Sequence, residues 1–240
     1  MRTAIIADIH ANLEALQAVL ERTHALNVDE LVCLGDIVGY NANPNECVDI
    51  IRKERIVSVL GNHDACASGL QEPDTFNPLA RKALFWTRDT LTKSNTLLLM
   101  NLPRERRMRD FLLFHGSIHD VNRYILHKND AIDNFRLLAG LPGGFRIGFF
   151  GHTHMRTALS DGGVEESLEL SLSPDKRYLI SPGSVGQPRD GDPRAAFLVY
   201  DDHDRRVAFY RVEYDIKACQ DKIIRAGLPP RLAERLEWGR

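Results

Sequence analysis

Short apolar runs that end in glycine and polar residues recur along this chain, and they constrain its fold more than any other feature. Each run is bounded by turn residues and is rich in Leu, Phe or β-branched residues, which is typical of a buried β-strand. Segments with helical spacing of apolar residues alternate with the runs, and this order predicts an α/β fold. The six runs are residues 3–7, 30–34, 56–60, 111–114, 147–150 and 178–180.

Helices are predicted where a capping residue or a proline precedes apolar residues at helical spacing. Residues 195–200 and 207–212 predict a hairpin, and the alternating leucines of residues 164–173 predict one further strand. The predicted helices begin after Asn12, at Pro44, and near residues 79, 129, 215 and 230.

The chain shows no linker rich in Pro, Gly or Ser, so we predict one domain over residues 1–240. Residues 65–110 carry helical signals and few strand signals, which favours a mainly helical insertion there. Residues from about 215 to 240 are expected to form a C-terminal helical tail.

Composition excludes several classes of protein. A hydrophobic content of 43% in 240 residues supplies a core, and a net charge of −2 argues against a basic nucleic-acid-binding protein. The apolar runs are too short for a transmembrane helix or a signal-peptide core. The four cysteines lie far apart without a Cys-x-x-Cys pair, so we expect no disulfide framework, no thiolate zinc site and a cytoplasmic protein.

Polar side chains with metal-binding chemistry follow five of the predicted strands. Because ligand sites in open α/β sheets gather at the carboxyl ends of strands, we expect these side chains to converge. Residues i and i+2 of an extended segment face the same way, which lets Asp8 join His10, and His152 join His154. The five segments are Asp8-Ile9-His10, Gly35-Asp36, Gly61-Asn62-His63-Asp64, His115-Gly116 and Gly151-His152-Thr153-His154.

Several imidazoles, carboxylates and one amide, without a thiolate, favour a pair of divalent transition-metal ions. Imidazole and carboxylate together suit Mn, Fe, Zn, Ni or Co, whereas a magnesium site seldom uses several histidines. An aspartate is well suited to bridge two such ions. The more isolated histidines are expected to lie at the surface or to be satisfied in the core; they are His24, His119, His127 and His203.

The ordered set of these motifs resembles the calcineurin-like metallophosphoesterase superfamily, over residues 3 to about 200. The segments Gly35-Asp36-Ile37-Val38-Gly39-Tyr40 and 182–191 are similar to those of small stand-alone bacterial and archaeal members. The resemblance implies a four-layer α-β-β-α sandwich of two mixed sheets with helices outside, and a dinuclear metal site at the sheet edge.

The resemblance also implies a role for each residue of the motifs. Asp36 would bridge the two ions, His63 would lie near the leaving group, and Asp64 would orient His63. The first metal would be held by Asp8, His10, Asp36 and His154, and the second by Asp36, Asn62, His115 and His152.

Two positions depart from the wider family pattern. Ala11 follows His10, where many relatives have glycine, which is a mild change. Gly39-Tyr40 stands where protein Ser/Thr phosphatases and the symmetrical dinucleoside tetraphosphatases carry an arginine. The missing arginine argues against a protein phosphatase.

The function that the resemblance implies is hydrolysis of a phosphoester by in-line attack of a metal-bridging hydroxide. We expect a small phosphoester or nucleotide substrate; monoesters, diesters, cyclic nucleotides and asymmetric dinucleoside polyphosphates all stay open. Phe76, Phe85 and Trp86 are expected to pack the helical insertion. Candidate substrate residues are Tyr40, Asn41, Arg123 and Arg189. Asn122 and Tyr124 could help to shape the leaving-group pocket, and either Arg189 or Arg194 could form a fork to phosphate oxygens.

Two other functions are compatible with the same motifs. The chain could be a non-catalytic metal-binding scaffold, as a retromer subunit of this fold is, although no expected site residue has been substituted. A nuclease would need a basic channel, and the only basic run is Arg104-Glu105-Arg106-Arg107. The sequence leaves the oligomeric state open.

Overall fold

Two mixed six-stranded sheets lie face to face, with helices on their outer sides. The computed structural model describes residues 1–240, apart from the side chain of Lys128. The first sheet has the spatial order β3 (Val57–Ser58), β2 (Glu30–Cys33), β1 (Arg2–Ile6), β11 (Ala195–Asp201), β12 (Arg206–Val212) and β9 (Glu169–Ser171). The second has the order β4 (Glu105–Arg107), β5 (Phe111–Phe114), β6 (Ile147–Phe149), β10 (Tyr178–Pro182), β7 (Arg156–Ser160) and β8 (Gly163–Val164).

The strands that carry the polar motifs are parallel neighbours within each sheet. In the first sheet β1 pairs with β2 and β2 with β3, and in the second β5 pairs with β6, all in parallel register. Their carboxyl ends therefore meet at one edge of the sandwich, as the sequence predicts. The predicted hairpin is also present, because β11 and β12 pair in antiparallel register.

Apolar residues alternate between the two faces of each sheet, as the period of a strand requires. In β1, Ile5 packs between the sheets, whereas Ile6 packs in the cluster shared with the outer helices. In β5, Leu113 lies between the sheets, and Leu112 and Phe114 lie in the outer cluster. Full burial of such side chains stabilises a fold by about 1.5–3 kcal/mol each.

Helices cover the outer face of each sheet. Asn12 caps α1, because its Oδ1 accepts a hydrogen bond from Ala15 N at 3.1 Å. Phe135 and Leu138 of α6 pack on the outer face of the second sheet. The helices are α1 (Leu13–Ala25), α2 (Pro44–Lys53), α3 (Asn62–Ala67), α4 (Pro78–Thr90), α5 (Lys93–Met100), α6 (Lys128–Gly140), α7 (Ile216–Arg225) and α8 (Pro230–Trp238).

The C-terminal helices pack together with α4 beside the loop that follows β2. Leu232 and Leu236 of α8 share a buried cluster with Ile223 of α7, Ala83 of α4 and Tyr40 of the loop. This packing brings the end of the chain close to the edge of the sheets where the polar motifs gather.

The prediction of one strand over residues 164–173 is wrong. Residues 163–164 form β8, which pairs with β7 in the second sheet, while residues 169–171 form β9, which pairs with β12 in the first. Leu168 is exposed, so the alternating leucines do not all face a core. None of the described helices is long and apolar enough to span a membrane.

Candidate metal centre

The polar residues after five strands come together between the two sheets. Asp8 and His10 follow β1, and Asp36 follows β2. Asn62 and His63 open α3, directly after β3 and its turn. His115 follows β5 at once, and the loop after β6 carries His152 and His154. The seven candidate ligands are all buried, as expected for a site between the sheets: Asp8, His10, Asp36, Asn62, His115, His152 and His154.

The backbone at five of these positions is left-handed. Asp8, His10, Asp36, His152 and His154 have φ values of 54°, 49°, 54°, 68° and 58°. Residues other than glycine lose roughly 1–2 kcal/mol in this conformation, and such strain is concentrated at functional sites. The strand-end turns thus hold the side chains in positions that a relaxed turn would not give.

One group of candidate ligands is formed by Asp8, His10, Asp36 and His154, whose ligand atoms lie within 4.8 Å of one another. The Nε2 atoms of His10 and His154 are 3.0 Å apart. His10 Nε2 lies 3.5 Å from Asp36 Oδ2, and His154 Nε2 lies 3.5 Å from Asp8 Oδ1. This is the set that the resemblance assigns to the first metal.

A second group adjoins the first and shares Asp36 with it. Asp36, His115 and His152 have ligand atoms within 4.8 Å of one another. His115 Nε2 lies 3.3 Å from Asp36 Oδ2 and 3.1 Å from Asn62 Oδ1. The shared Oδ2 therefore stands between the two groups, where a bridging carboxylate oxygen is needed.

Hydrogen bonds to backbone carbonyls fix the tautomers of these histidines. The Nδ1 atoms of His10, His115 and His154 donate to Val38 O, Leu34 O and Gln187 O at 3.1, 2.8 and 2.6 Å. In the neutral form that a metal ligand requires, these rings turn the Nε2 lone pair toward the site. His152 is held the other way round, since its Nε2 donates to Asn122 O at 3.2 Å, so its Nδ1 is available.

The donor set fits divalent cations. In their neutral tautomers, His10 and His154 point two lone pairs at each other across 3.0 Å, which is repulsive unless a cation accepts both. Asp36 Oδ2 is buried and has no hydrogen-bond partner among the described residues. A cation in each group would satisfy these atoms, with an oxygen and nitrogen set typical of Mn, Fe, Zn, Ni or Co.

The charges in the site shift several pKa values. Burial raises the pKa of Asp8 to about 7 and lowers that of His63 to about 4. Burial acts to lower the pKa of His115, but the negative charge of Asp36 outweighs it and raises the pKa to about 9. For Asp36, burial acts to raise the pKa, but His115 and His63 outweigh it and lower the pKa.

His63 faces a cavity of about 420 Å³ that opens onto both groups of candidate ligands. Its ring centroid lies 4.5 Å from that of Tyr40 and 4.9 Å from that of Phe76. His63 Nδ1 is buried and has no hydrogen-bond partner among the described residues.

Asp64 does not contact His63 in the way that the resemblance implies. Its two carboxylate oxygens accept hydrogen bonds from Val38 N and Gly61 N, both at 3.1 Å. The third position of a helix points back toward the helix start, which turns Asp64 to the backbone rather than to its neighbour. Asp64 thus fixes the turns that carry Asp36 and Asn62.

Two of the four predicted substrate residues line the cavity. Tyr40 and Arg189 do, and Arg189 Nη2 donates to Tyr40 Oη at 3.2 Å. Asn41 turns away from it, because its Nδ2 donates to His10 O at 2.7 Å and so braces that backbone. Arg123 is half exposed and pairs with Asp130 at 3.0 Å, so it also lies outside the cavity lining.

Some lining residues were not predicted from the sequence. Phe76 was expected to pack the helical insertion, yet its ring borders the cavity beside His63. Asn122 and Tyr124, by contrast, were expected near the leaving-group pocket and do line the cavity, and the Tyr124 ring stacks on that of His152 with centroids 3.9 Å apart. Arg235 comes from α8, and no local motif marks it, because only the packing of the C-terminal helices brings it to the site.

Comparisons with known proteins agree with this arrangement. The model of the calcineurin-like phosphoesterase superfamily domain matches residues 1–205. A curated but uncharacterised protein of Methanocaldococcus jannaschii is 39% identical, over 99% of this chain and 98% of its own length.

Solved structures show the same fold. The crystal structure of a metallophosphoesterase from Sphaerobacter thermophilus has a TM-score of 0.87 at 39% identity, covering 100% of this chain and 99% of that one. A hypothetical protein from Pyrococcus horikoshii, at 20% identity, has a TM-score of 0.82 and covers 100% of this chain and 98% of that one. On the match to the family model and these relatives, the chain belongs to the calcineurin-like phosphoesterase superfamily.

Proposed function

We propose that this protein hydrolyses small phosphoesters at a centre of two divalent cations. The observation that carries the proposal is the position of Asp36, whose buried Oδ2 lies 3.5 Å from His10 Nε2 and 3.3 Å from His115 Nε2. One carboxylate oxygen therefore adjoins a ligand of each group. The ions would be drawn from Mn, Fe, Zn, Ni and Co, given the mixture of imidazole and carboxylate.

The cations would neutralise charge on the phosphoryl oxygens and lower the pKa of the attacking water. The protein's own residues support that chemistry by holding the ligands in place. Asp8 accepts the backbone N–H of His152 at 3.0 Å, which joins the loop after β1 to the loop after β6. Asp36 Oδ1 accepts the N–H of His63 at 2.8 Å, which joins the loop after β2 to α3.

His63 is placed to assist the leaving group. It follows the candidate ligand Asn62 by one residue, belongs to neither group of candidate ligands, and lines the cavity with its ring centroid 4.6 Å from that of His10. An imidazole there can donate a proton to the departing oxygen or stabilise its charge. Arg189, also in the lining, offers a guanidinium to a phosphate oxygen.

The test is metal analysis of the purified protein, followed by turnover assays after chelation and reconstitution with each candidate ion. Phosphomonoesters and phosphodiesters, including bis(p-nitrophenyl) phosphate, form the substrate panel. We expect chelation to abolish turnover and reconstitution to restore it. Full turnover after exhaustive chelation would contradict the proposal, and two tightly bound ions without turnover on any substrate would indicate the scaffold instead.

A further inference from the structure

Two arginines from distant parts of the chain line the cavity at the candidate metal centre. Arg189 belongs to the loop after β10, and Arg235 lies on α8 in the C-terminal tail. Asp36 is the only carboxylate among the described lining residues, and it already adjoins His10 and His115. The cavity lining therefore carries two guanidiniums that pair with no described aspartate or glutamate.

Arg189 is held by neutral groups. Its Nη2 donates to Tyr40 Oη at 3.2 Å and to Gln187 Oε1 at 3.1 Å, and its guanidinium lies 5.7 Å from the centre of the Tyr40 ring. Arg189 Nε is buried without a hydrogen-bond partner among the described residues. No described carboxylate forms an ion pair with this guanidinium.

Arg235 pairs with no aspartate or glutamate among the described ion pairs, and its Nε donates to the main-chain oxygen of Arg240, the last residue of the sequence, at 2.6 Å. Both guanidiniums line the same cavity, and the pKa of Arg235 is lowered by burial and further by the positive charge of Arg189. Two like charges beside one cavity destabilise the protein unless a bound anion offsets them.

The packing of α8 makes the position of Arg235 a fixed feature of the site. Leu232 and Leu236 anchor the helix in a buried cluster with Tyr40. At the end of the helix, Gly191 N donates to Gly239 O at 3.0 Å. This bond joins α8 to the loop that carries Arg189, so both arginines are positioned by one packed unit.

We propose that Arg235, together with Arg189, binds a second phosphate of the substrate, so that the preferred substrates carry a phosphate on the leaving group. Phosphoanhydrides such as nucleoside diphosphates and polyphosphates belong to this class. The inference rests on the proposed function, which places the reacting phosphoryl group at the candidate metal centre. Water forms the new P–O bond, the bond to the leaving-group oxygen breaks, and the two arginines hold the departing phosphate, which takes up the proton.

Calorimetric binding of two inert probes tests the inference without turnover. Methylenediphosphonate carries two phosphonates and methylphosphonate carries one, and both are titrated into protein saturated with Mn²⁺. We expect Arg235→Gln to weaken diphosphonate binding about 10- to 100-fold more than methylphosphonate binding, the range expected for hydrogen bonds to a charged group. Arg235→Lys keeps the charge and should recover part of this loss.

Arg231→Gln is the matched control, because Arg231 is an exposed arginine on the same helix and lies outside the cavity lining. It should bind both probes as the parent protein does, and thermal unfolding shows whether each variant is folded. Equal losses for the two probes in folded Arg235→Gln, or no loss for either, would overturn the inference. Wild-type turnover of bis(p-nitrophenyl) phosphate is measured separately, so that its absence would count against the proposed function alone.

Discussion

Asp36 is the residue that both groups of candidate ligands share. Asp36→Asn removes the negative charge that the proposed ions share while keeping the shape of the side chain. We therefore expect the affinity for both ions to fall by more than about 100-fold, beyond the 10- to 100-fold typical of residues that only support a ligand. Metal content after dialysis measures this directly.

Asp49→Asn is the control for this prediction. Asp49 is an exposed aspartate on α2 that pairs with Arg52 at 3.1 Å, and exposed ion pairs of this kind contribute little to stability. It should retain the wild-type metal content. Two tightly held ions in Asp36→Asn would show that Asp36 does not bridge them.

His63 should affect turnover without affecting metal content. We expect His63→Ala to lower kcat by about 10²- to 10⁴-fold, as is typical when a general acid is lost. The loss should be smaller for a nitrophenyl ester than for an alkyl ester, because nitrophenolate needs little protonation to depart. The measurements are kcat on both esters and metal analysis of the same preparation.

His24→Ala provides the comparison, since His24 is exposed in the last turn of α1 and belongs to neither group of candidate ligands nor to the cavity lining. It should match the wild type in both measurements. Equal losses of kcat on the two esters in His63→Ala would indicate positioning or charge stabilisation rather than proton transfer. Loss of an ion would mean that His63 is itself a ligand.

Single site residues could be predicted where a side chain that can bind a metal directly follows a predicted strand. The sequence was less informative elsewhere. Asp8, Asp36 and His115 could be placed because each follows a recognisable strand. Asn41 and Asp64 carry similar polar side chains, but these form hydrogen bonds with backbone atoms. Only the folded structure shows those hydrogen bonds. Local patterns do not contain such long-range contacts.

Among the elements, α8 depends on a close approach at its end. Gly239 has a φ of 58°, and a Cβ there would lie 2.7 Å from the backbone of Asp192. Gly239→Ala should thus cost roughly 1–2 kcal/mol for the left-handed conformation and more for the overlap. Chemical denaturation measures the loss of unfolding free energy. Diphosphonate affinity should fall as well, because α8 moves away from the loop that carries Arg189.

Gly227→Ala separates these two effects. Gly227 follows α7 with a φ of 71°, and a Cβ there would meet no atom within 4 Å. This variant should show only the conformational cost and should bind methylenediphosphonate normally. If the two variants lose the same stability and bind the probe equally well, the contact between α8 and the loop does not position Arg235.

The predicted helices and strands agree with the structure where a local sequence signal marks where they begin or end. The helix at Pro44 is present as α2, and the paired runs near the C-terminus are present as β11 and β12. Residues 163–164 and 169–171 instead join different sheets, a choice made by distant partners rather than by the alternation of leucines. The short helix α3 is not among the predicted helices, since its six residues are too few to show a helical period.

At the scale of the whole molecule, the candidate metal centre links the two sheets. Asp8 and Asp36 follow strands of the first sheet, whereas His115, His152 and His154 follow strands of the second. The four-layer architecture could be predicted because the motif order resembles a known family. The contribution of α8 to the cavity could not, because it arises from helix packing outside the matched residues 1–205.

Ions bound between the sheets should stabilise the folded protein, since the unfolded chain does not hold these ligands together. At a free Mn²⁺ concentration about 100 times the dissociation constant, one site adds about 2.7 kcal/mol. In a chain of this size that raises Tm by roughly 5–10 °C. Differential scanning fluorimetry should show this rise after chelated protein is reloaded, and a much smaller one in Asp36→Asn. An equal rise in both proteins would place the stabilising ions elsewhere, because Asp36 is the only residue shared by both groups of candidate ligands among the described side chains.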